Sequence, residues 1–255
     1  MNTHSHTGLL LAMVVLLAIP TPSLAQVAVI TSGGFRAAYL EILPEFERTA
    51  NVAVTTTGGA SQGPGPNTIG AQLRRGVSAD VVIMSKEGLA ELVAEGRIVA
   101  GSEVDLAETP LGVAVRSGTP KPDIGTVNAF KQMLLRAKSI TFIDSTTGIY
   151  LTTTLFPRLG IAAELAGKST TSGVAAVARG DVEIAIQPVS ELIHVAGADL
   201  VGAIPAEIQY VSVFTAAVVA GSKNLEASKR LIAFLASDRA RAAIQKNGME
   251  LPRPR

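Results

Sequence analysis

Val27-Ala-Val-Ile-Thr31 is a short apolar run, rich in β-branched residues, that ends in the turn residues Ser32-Gly33-Gly34. From Phe35 to Arg48 the apolar side chains recur at helical spacing. A strand, a tight turn and a helix are therefore predicted in direct succession. The same order is predicted twice more before residue 95. Alternating strands and helices of this kind imply a parallel sheet with right-handed crossovers.

A second series of strands and helices is predicted between residues 111 and 186. The strands are at 111–115, 139–144 and 182–186, and the helices at 126–137, 148–159 and 173–179. An extended segment follows at 208–219, and then two helices at 224–236 and 238–247. The predicted fold class is α/β with two lobes, each a mostly parallel sheet flanked by helices, joined by two extended crossover segments. We expect lobe I to comprise 26–109 plus 206–255, and lobe II 110–205.

The first 25 residues have the pattern of a signal peptide. An apolar stretch from Gly8 to Ile19 is too short to span a bilayer as a finished helix, which disfavours a retained membrane anchor. Small residues around Ala25 predict cleavage before Gln26. The chain has no Cys, so it lacks the lipid-modified Cys of a bacterial lipoprotein. We expect an exported, periplasmic protein without a membrane anchor.

Composition excludes several classes of function. The 22 Lys and Arg residues balance 21 Asp and Glu, so there is no basic excess to attract nucleic acid. Aromatic residues make up 4% of the chain, which argues against surfaces that stack on sugars or bases. His194 is the one His after the predicted leader, so no multi-His metal site can form. We expect a monomer with no metal and no cofactor.

Four loops that follow predicted strands are rich in Gly, Ser and Thr. Ligands of open parallel sheets bind beyond the carboxyl ends of the strands, where N–H groups at helix starts point outward. Glycine lets the backbone approach closely, hydroxyl groups donate hydrogen bonds, and helix N-termini favour negative charge. The loops therefore predict a small anionic ligand, although each alone resembles an ordinary cap or turn. They lie at 31–34, 57–61, 145–148 and 169–173.

Catalytic residues are harder to assign. Gly59-Ala60-Ser61-Gln62-Gly63 matches the nucleophile elbow of serine hydrolases, but Pro64-Gly65-Pro66 stands where that motif needs a helix. The base that activates Ser61 would have to be His194, and nothing in the sequence around His194 indicates that role. Asp80, Asp144 and Glu191 are too scattered in sequence to be assigned as an acid/base pair, and each is interpreted as a solvated or capping carboxylate. Arg36 follows the first loop and is a candidate for binding a carboxylate or oxyanion.

Several segments together resemble the periplasmic molybdate-binding proteins and their relatives among the type II solute-binding proteins. Gln72-Leu-Arg-Arg-Gly76-Val-Ser-Ala79-Asp80-Val81 is similar to that family's Q-I-x-x-G-x-P-A-D-V segment. The stretches at 144–150, 177–185 and 234–248 resemble three further family segments in the same order, so the likeness covers nearly the whole mature chain. It implies a two-lobed periplasmic binding protein type II fold and a ligand in the cleft between the lobes.

The resemblance also implies binding residues. The family's second-loop serine falls on Ser61 or its neighbour Ala60, and its anion-binding Tyr falls on Gln187. That Tyr-to-Gln difference, together with a longer second loop, favours a carboxylate-bearing ligand over molybdate. Arg36 is added to the predicted binding residues because it follows the first loop directly. The full predicted set of ligand-binding residues is Ser32, Gly33, Arg36, Ala60, Ser61, Thr147, Thr170 and Gln187.

Two functions follow from this resemblance. The first is capture of a small anion, a polycarboxylate rather than molybdate, for delivery to the permease of an ABC transporter. The second is enzymatic, because periplasmic aconitate isomerases resemble molybdate-binding proteins and shift the double bond of aconitate by moving an allylic proton. That reaction needs a base within about 3 Å of a methylene proton. The sequence singles out no residue for this role.

Overall fold

The computed structural model describes residues 26–252, and the predicted two-lobed α/β architecture is confirmed. The predicted signal peptide, residues 1–25, lies outside the described residues. None of the helices within 26–252 is both long and apolar enough to cross a membrane. The strands are β1 (Gln26–Thr31), β2 (Ala53–Gly58), β3 (Val81–Ser85), β4 (Val104–Arg116), β5 (Ile140–Thr141), β6 (Ser169–Thr170), β7 (Ile184–Pro188), β8 (Ala198–Ala203) and β9 (Val211–Val218).

The helices follow the strands in the predicted alternation. A π-helical turn, Leu151–Leu155, joins α5 to α6, so helical backbone continues from 146 to 159. A single 3₁₀ turn, Ala206–Ile208, precedes β9. The α-helices are α1 (Gly33–Ala50), α2 (Ile69–Arg74), α3 (Lys86–Ala94), α4 (Val127–Arg136), α5 (Thr146–Tyr150), α6 (Phe156–Leu159), α7 (Ala162–Ala166), α8 (Val174–Arg179), α9 (Val189–Leu192), α10 (Leu225–Leu235) and α11 (Asp238–Lys246).

The sheet of the first lobe has the order β2-β1-β3-β9, followed by the first half of β4. β1, β2 and β3 are parallel, whereas β9 runs antiparallel to both β3 and β4. Helix α1 packs Phe35, Tyr39 and Phe46 into the core of this lobe, where each is nearly fully buried. Because the three parallel strands end at one edge, Thr31, Gly58 and Ser85 lie along the same side of the lobe.

The sheet of the second lobe contains the second half of β4. Strand β7 pairs antiparallel with β4 and parallel with β5, β6 pairs parallel with β5, and β8 pairs antiparallel with β4. Phe130, Leu155 and Ile186 belong to its buried core. The carboxyl ends of β5 and β7 face the cleft, so the loops after them lie opposite those of the first lobe.

Two extended segments connect the lobes, as predicted. The first is the middle of β4, near Leu111, and the second runs from Ile204 to Tyr210. The side-chain amide of Gln209 joins them. Its Oε1 accepts from the N–H groups of Leu111 at 2.7 Å and Tyr210 at 3.0 Å. Its Nε2 donates to the carbonyls of Leu111 at 3.2 Å and Ile204 at 3.0 Å. The Gln209 side chain therefore joins the two crossing segments directly to each other.

Some predicted elements differ in extent. β4 begins at Val104, seven residues before the predicted strand, because residues 104–110 pair with β9. The predicted strand at 139–144 keeps only two paired residues, since β6, its partner on one side, is equally short. Within the extended segment predicted at 208–219, β9 covers Val211–Val218, and Ile208 is the last residue of the preceding 3₁₀ turn. The predicted lobe boundaries at 109/110 and 205/206 stay a prediction.

Candidate functional site

A cavity of about 240 Å³ lies between the lobes, at the carboxyl ends of the parallel strands. It is smaller than the roughly 300–1,000 Å³ typical of sites for drug-sized ligands, which suits a small solute. No Lys, Arg or His is among the described residues that line it. The lining residues are Ser32, Gly33, Gly59, Ala60, Ser61, Ser85, Ile143, Ser145, Thr146, Thr147, Pro188, Glu191, Ser212 and Phe214.

Two helical segments begin at this cavity, one from each lobe. α1 follows Ser32 and α5 follows Ser145, and neither serine caps its helix through the side chain. In contrast, Thr68, Ser85 and Thr126 each accept a hydrogen bond from the first turn of the helix they precede. The first N–H groups of a helix have no partner within it and favour anions. Those of α1 and α5 are therefore available to an anion in the cavity.

Hydrogen bonds connect the two lobes beside the cavity. Thr146 Oγ1 of the second lobe donates to Gln62 Oε1 at 2.8 Å and lies 2.8 Å from Ser85 Oγ of the first lobe. Since the single Thr146 hydrogen goes to Gln62, Ser85 is the donor to Thr146. The structure thus shows the lobes in direct contact around the cavity.

Three hydroxyl groups of the first lobe retain hydrogen-bonding capacity. Ser32 Oγ and Ser212 Oγ are buried without a hydrogen-bond partner. Ser61 Oγ accepts from Ser85 N at 2.9 Å, so its own hydrogen is free to donate. Buried polar groups without partners are rare in native proteins, and each calls for an explanation. All three line the cavity, so a bound ligand would satisfy them.

Glu191 is the one ionisable side chain among the described residues that line the cavity. Its Oε2 accepts from Gln187 Nε2 at 2.6 Å, whereas its Oε1 has no hydrogen-bond partner in residues 26–252. Oε1 lies 3.0 Å from the point that a Cβ on Gly33 would occupy, so glycine allows the carboxylate to approach the start of α1. Burial raises the pKa of the Glu191 carboxyl, and the hydrogen bond from Gln187 lowers it in part.

A larger cavity, of about 730 Å³, lies at the opposite ends of the strands in the first lobe. Its central carboxylate, Asp80, accepts hydrogen bonds from Ala28 N at 2.8 Å, Ser222 Oγ at 2.6 Å and Asn224 Nδ2 at 3.1 Å. These contacts leave the carboxylate fully engaged in joining strands and loops. We therefore place the functional site in the smaller cavity, whose polar groups lack partners.

The structure brings most of the predicted ligand-binding residues together. Ser32, Gly33, Ala60, Ser61 and Thr147 line the cavity, and their contact with a ligand stays a prediction. Gln187 lies behind the lining: its Oε1 accepts from Val174 N at 2.7 Å and its Nε2 holds Glu191.

Two other predicted residues lie outside the lining. The Arg36 guanidinium is beside Gly58, at the end of β2. Thr170 is exposed, with its hydroxyl 3.0 Å from Ser172 Oγ. Their roles in binding also stay predictions. Glu191, Ser85 and Ser212 line the cavity although the sequence does not identify them. No local pattern marks Glu191, because Gln187 lies in β7 and Glu191 in α9, and their hydrogen bond depends on the turn between these two elements.

The geometry argues against the serine hydrolase alternative. Residues after Ser61 form bends and turns, and the next helix, α2, begins only at Ile69. Ser61 Oγ bonds to Ser85 N, and His194 is exposed and is not among the residues that line the cavity. Ser61 and His194 therefore do not form the nucleophile and base of a triad in this structure.

Two α/β lobes, two crossings and a cavity between the lobes lined by hydroxyl and N–H groups are the architecture of the solute-binding-protein class. The model of the bacterial extracellular solute-binding protein family matches residues 27–250, and the chain belongs to that family. A relative from Pseudomonas sp, named aconitate isomerase, is 37% identical over 249 residues, covering 94% of this chain and 95% of the relative.

Solved structures of binding proteins share the fold. The periplasmic molybdate-binding protein of Azotobacter vinelandii superposes with a TM-score of 0.68 at 17% identity, over 89% of this chain and 100% of that one. The sulfate-binding protein SubI of Mycobacterium tuberculosis H37Rv gives a TM-score of 0.66 at 19% identity, over 90% and 88% of the two chains. At these identities the likeness establishes the fold alone.

Proposed function

We propose that this protein is an aconitate isomerase, which interconverts trans- and cis-aconitate by moving a proton between two carbons. The observation that carries the proposal is the cavity between the lobes, where unpartnered hydroxyls of the first lobe meet helix N–H groups of both lobes. These donors suit carboxylates. The nearly full-length similarity to the Pseudomonas relative supports the choice of aconitate among carboxylate ligands.

The distribution of donors fits a ligand with several carboxylates. The start of α1, with Ser32, lies on one side of the cavity, and the start of α5, with Thr147, lies on the other. A tricarboxylate can place one carboxylate at each helix start and so bridge the lobes. No cationic side chain is needed for this, because N–H and O–H groups in a partly desolvated cavity stabilise anions well.

The test uses the protein from Gln26 onward. Purified protein is incubated with trans-aconitate, and cis-aconitate is measured by chromatography against a control without protein. We expect cis-aconitate to accumulate until the two isomers reach the same ratio from either starting isomer. Absence of interconversion at high protein concentration, from both isomers, would refute the proposal.

Ligand capture for an ABC transporter is a second candidate function. It is favoured by the position of the cavity between two lobes that contact one another through Ser85, Gln62 and Thr146. Calorimetry against citrate, both aconitates, molybdate and sulfate would test it. Tight binding of one anion without chemical change would favour capture over isomerisation.

Ser32 provides a prediction common to both functions. Ser32→Ala should weaken binding of trans-aconitate about 10- to 100-fold, since a hydrogen bond to a charged group is worth roughly 1.5–3 kcal/mol. Stability should not fall, because Ser32 Oγ has no partner in the protein. Binding is measured by calorimetry and stability by thermal unfolding.

Ser228 supplies the matched control. Its hydroxyl is also buried without a partner, but it lies in α10, outside the residues that line the cavity. Ser228→Ala should leave the affinity unchanged. Equal losses of affinity in the two variants would contradict a specific contact between Ser32 and the ligand.

A further inference from the structure

The Glu191 carboxyl group does not help to bind an anion in the cavity. A carboxylate in the cavity repels a bound carboxylate, and its transfer from water is unfavourable unless it is well paired. Glu191 has a single hydrogen-bond donor, Gln187. A site selected for affinity alone would gain from a neutral side chain at this position.

We infer that Glu191 is the catalytic residue that moves the proton, an assignment that rests on the proposed isomerase function. Its carboxylate takes a proton from the methylene carbon of aconitate. The C–H electron pair then forms the new double bond, and the pair of the original double bond goes to the far alkene carbon. That carbon takes the proton back from Glu191, so atoms and charge are conserved and no second reactant is needed.

The orientation of the Glu191 carboxyl group suits a mechanism in which one residue both removes and returns the proton. Gln187 Nε2 holds Oε2 at 2.6 Å, and Gln187 is itself fixed by Val174 N, which donates to its Oε1 at 2.7 Å. The other oxygen, Oε1, is left free beside Gly33. A single fixed oxygen that faces the cavity can reach both carbons of an allylic unit in turn. Burial raises the pKa of this carboxyl, which makes its carboxylate a stronger base than an exposed one.

The remaining acidic side chains are placed less suitably. Asp144 is not among the residues that line the cavity, and its carbonyl oxygen faces Gly63 of the second loop. Asp80 lies in the distant cavity of the first lobe and has three hydrogen-bond donors. Asp144 is exposed although it precedes α5, and Asp80 lies at the opposite ends of the strands, so Glu191 is the carboxylate that lines the cavity within residues 26–252.

The decisive variant is Glu191→Gln, which keeps the size of the side chain and removes its ability to accept a proton. We expect kcat for trans-aconitate to fall about 10²- to 10⁴-fold, the range typical for loss of a general base. Calorimetry should show that the variant still binds trans-aconitate, with equal or higher affinity because a negative charge is gone. Glu164→Gln, in exposed α7, is the control and should retain full turnover.

Each other outcome overturns the assignment in a recognisable way. Turnover by Glu191→Gln at the wild-type rate would show that another group moves the proton. Loss of trans-aconitate binding together with turnover would assign Glu191 to binding or structure. Absence of turnover in the wild-type protein would refute the proposed function and this assignment with it. If Glu191→Gln does not fold, Glu191→Ala with added formate replaces it, and failure of formate to restore any turnover would refute the assignment.

Discussion

Gly63→Ala is expected to weaken binding of trans-aconitate about 30-fold or more, and to lower the free energy of unfolding by about 1–3 kcal/mol through backbone strain. Gly63 has φ +115°, a conformation that side chains rarely adopt, and a Cβ there would collide with the carbonyl oxygen of Asp144 in the second lobe. Relieving such a collision costs about 2 kcal/mol, which corresponds to about 30-fold in affinity. The neighbouring contacts between the lobes, Gln62 N to Ser145 Oγ at 3.4 Å and Thr146 to Gln62, would also separate.

The same loop supplies the control for this prediction. Gly65 has no atom within 4 Å of an added Cβ, so Gly65→Ala should bind as the wild type does. Both variants are compared by calorimetry and thermal unfolding. Normal affinity in Gly63→Ala would mean that the close approach of the second loop to Asp144 is not needed for binding. A fall in melting temperature of much more than about 12 °C, beyond what backbone strain explains, would instead indicate a general folding defect.

The fold is largely predictable because its signals are local. Each apolar run followed by a Gly/Ser turn and a helical pattern indicates one strand–helix unit, and β1 with α1 forms as predicted. Elements with weak local patterns are missed: β8 has partly exposed residues almost throughout, and α9 has only four residues. The extent of β4 is underestimated because its first half is determined by pairing with β9, which lies about 100 residues later.

The site is predictable in part, for the same reason. Strand-end loops can be located from sequence, so Ser32, Ser61 and Thr147 are identified and do line the cavity. Glu191 is not identified, because its importance depends on α9 facing the start of α1, a contact between residues far apart in the chain. A carboxylate on the surface and one in a cavity look alike in sequence. Only the packing distinguishes them.

Asp80→Ala is expected to lower the free energy of unfolding by about 1–3 kcal/mol, the range for leaving buried hydrogen-bond donors without their acceptor. The carboxylate, just before β3, joins two other segments: the start of β1 through Ala28 N, and the loop after β9 through Ser222 and Asn224. Without it, Ala28 N and Ser222 Oγ lose this acceptor, whereas Asn224 Nδ2 keeps its hydrogen bond to the Gln26 carbonyl. The exposed Asp181, paired with Arg179, supplies the control, since surface changes usually stay within about 0.5 kcal/mol.

Thermal and urea unfolding measure the effect, and the melting temperature of Asp80→Ala should fall by roughly 2–12 °C while that of Asp181→Ala stays near the wild type. Because Asp80 lies at the ends of the strands opposite the cavity, kcat for trans-aconitate below the unfolding transition should remain normal. An unchanged melting temperature would show that the Asp80 contacts contribute no net stability. A fall in kcat at a temperature where the variant is fully folded would instead mean that the Asp80 contacts influence the geometry of the smaller cavity at the other end of the first lobe.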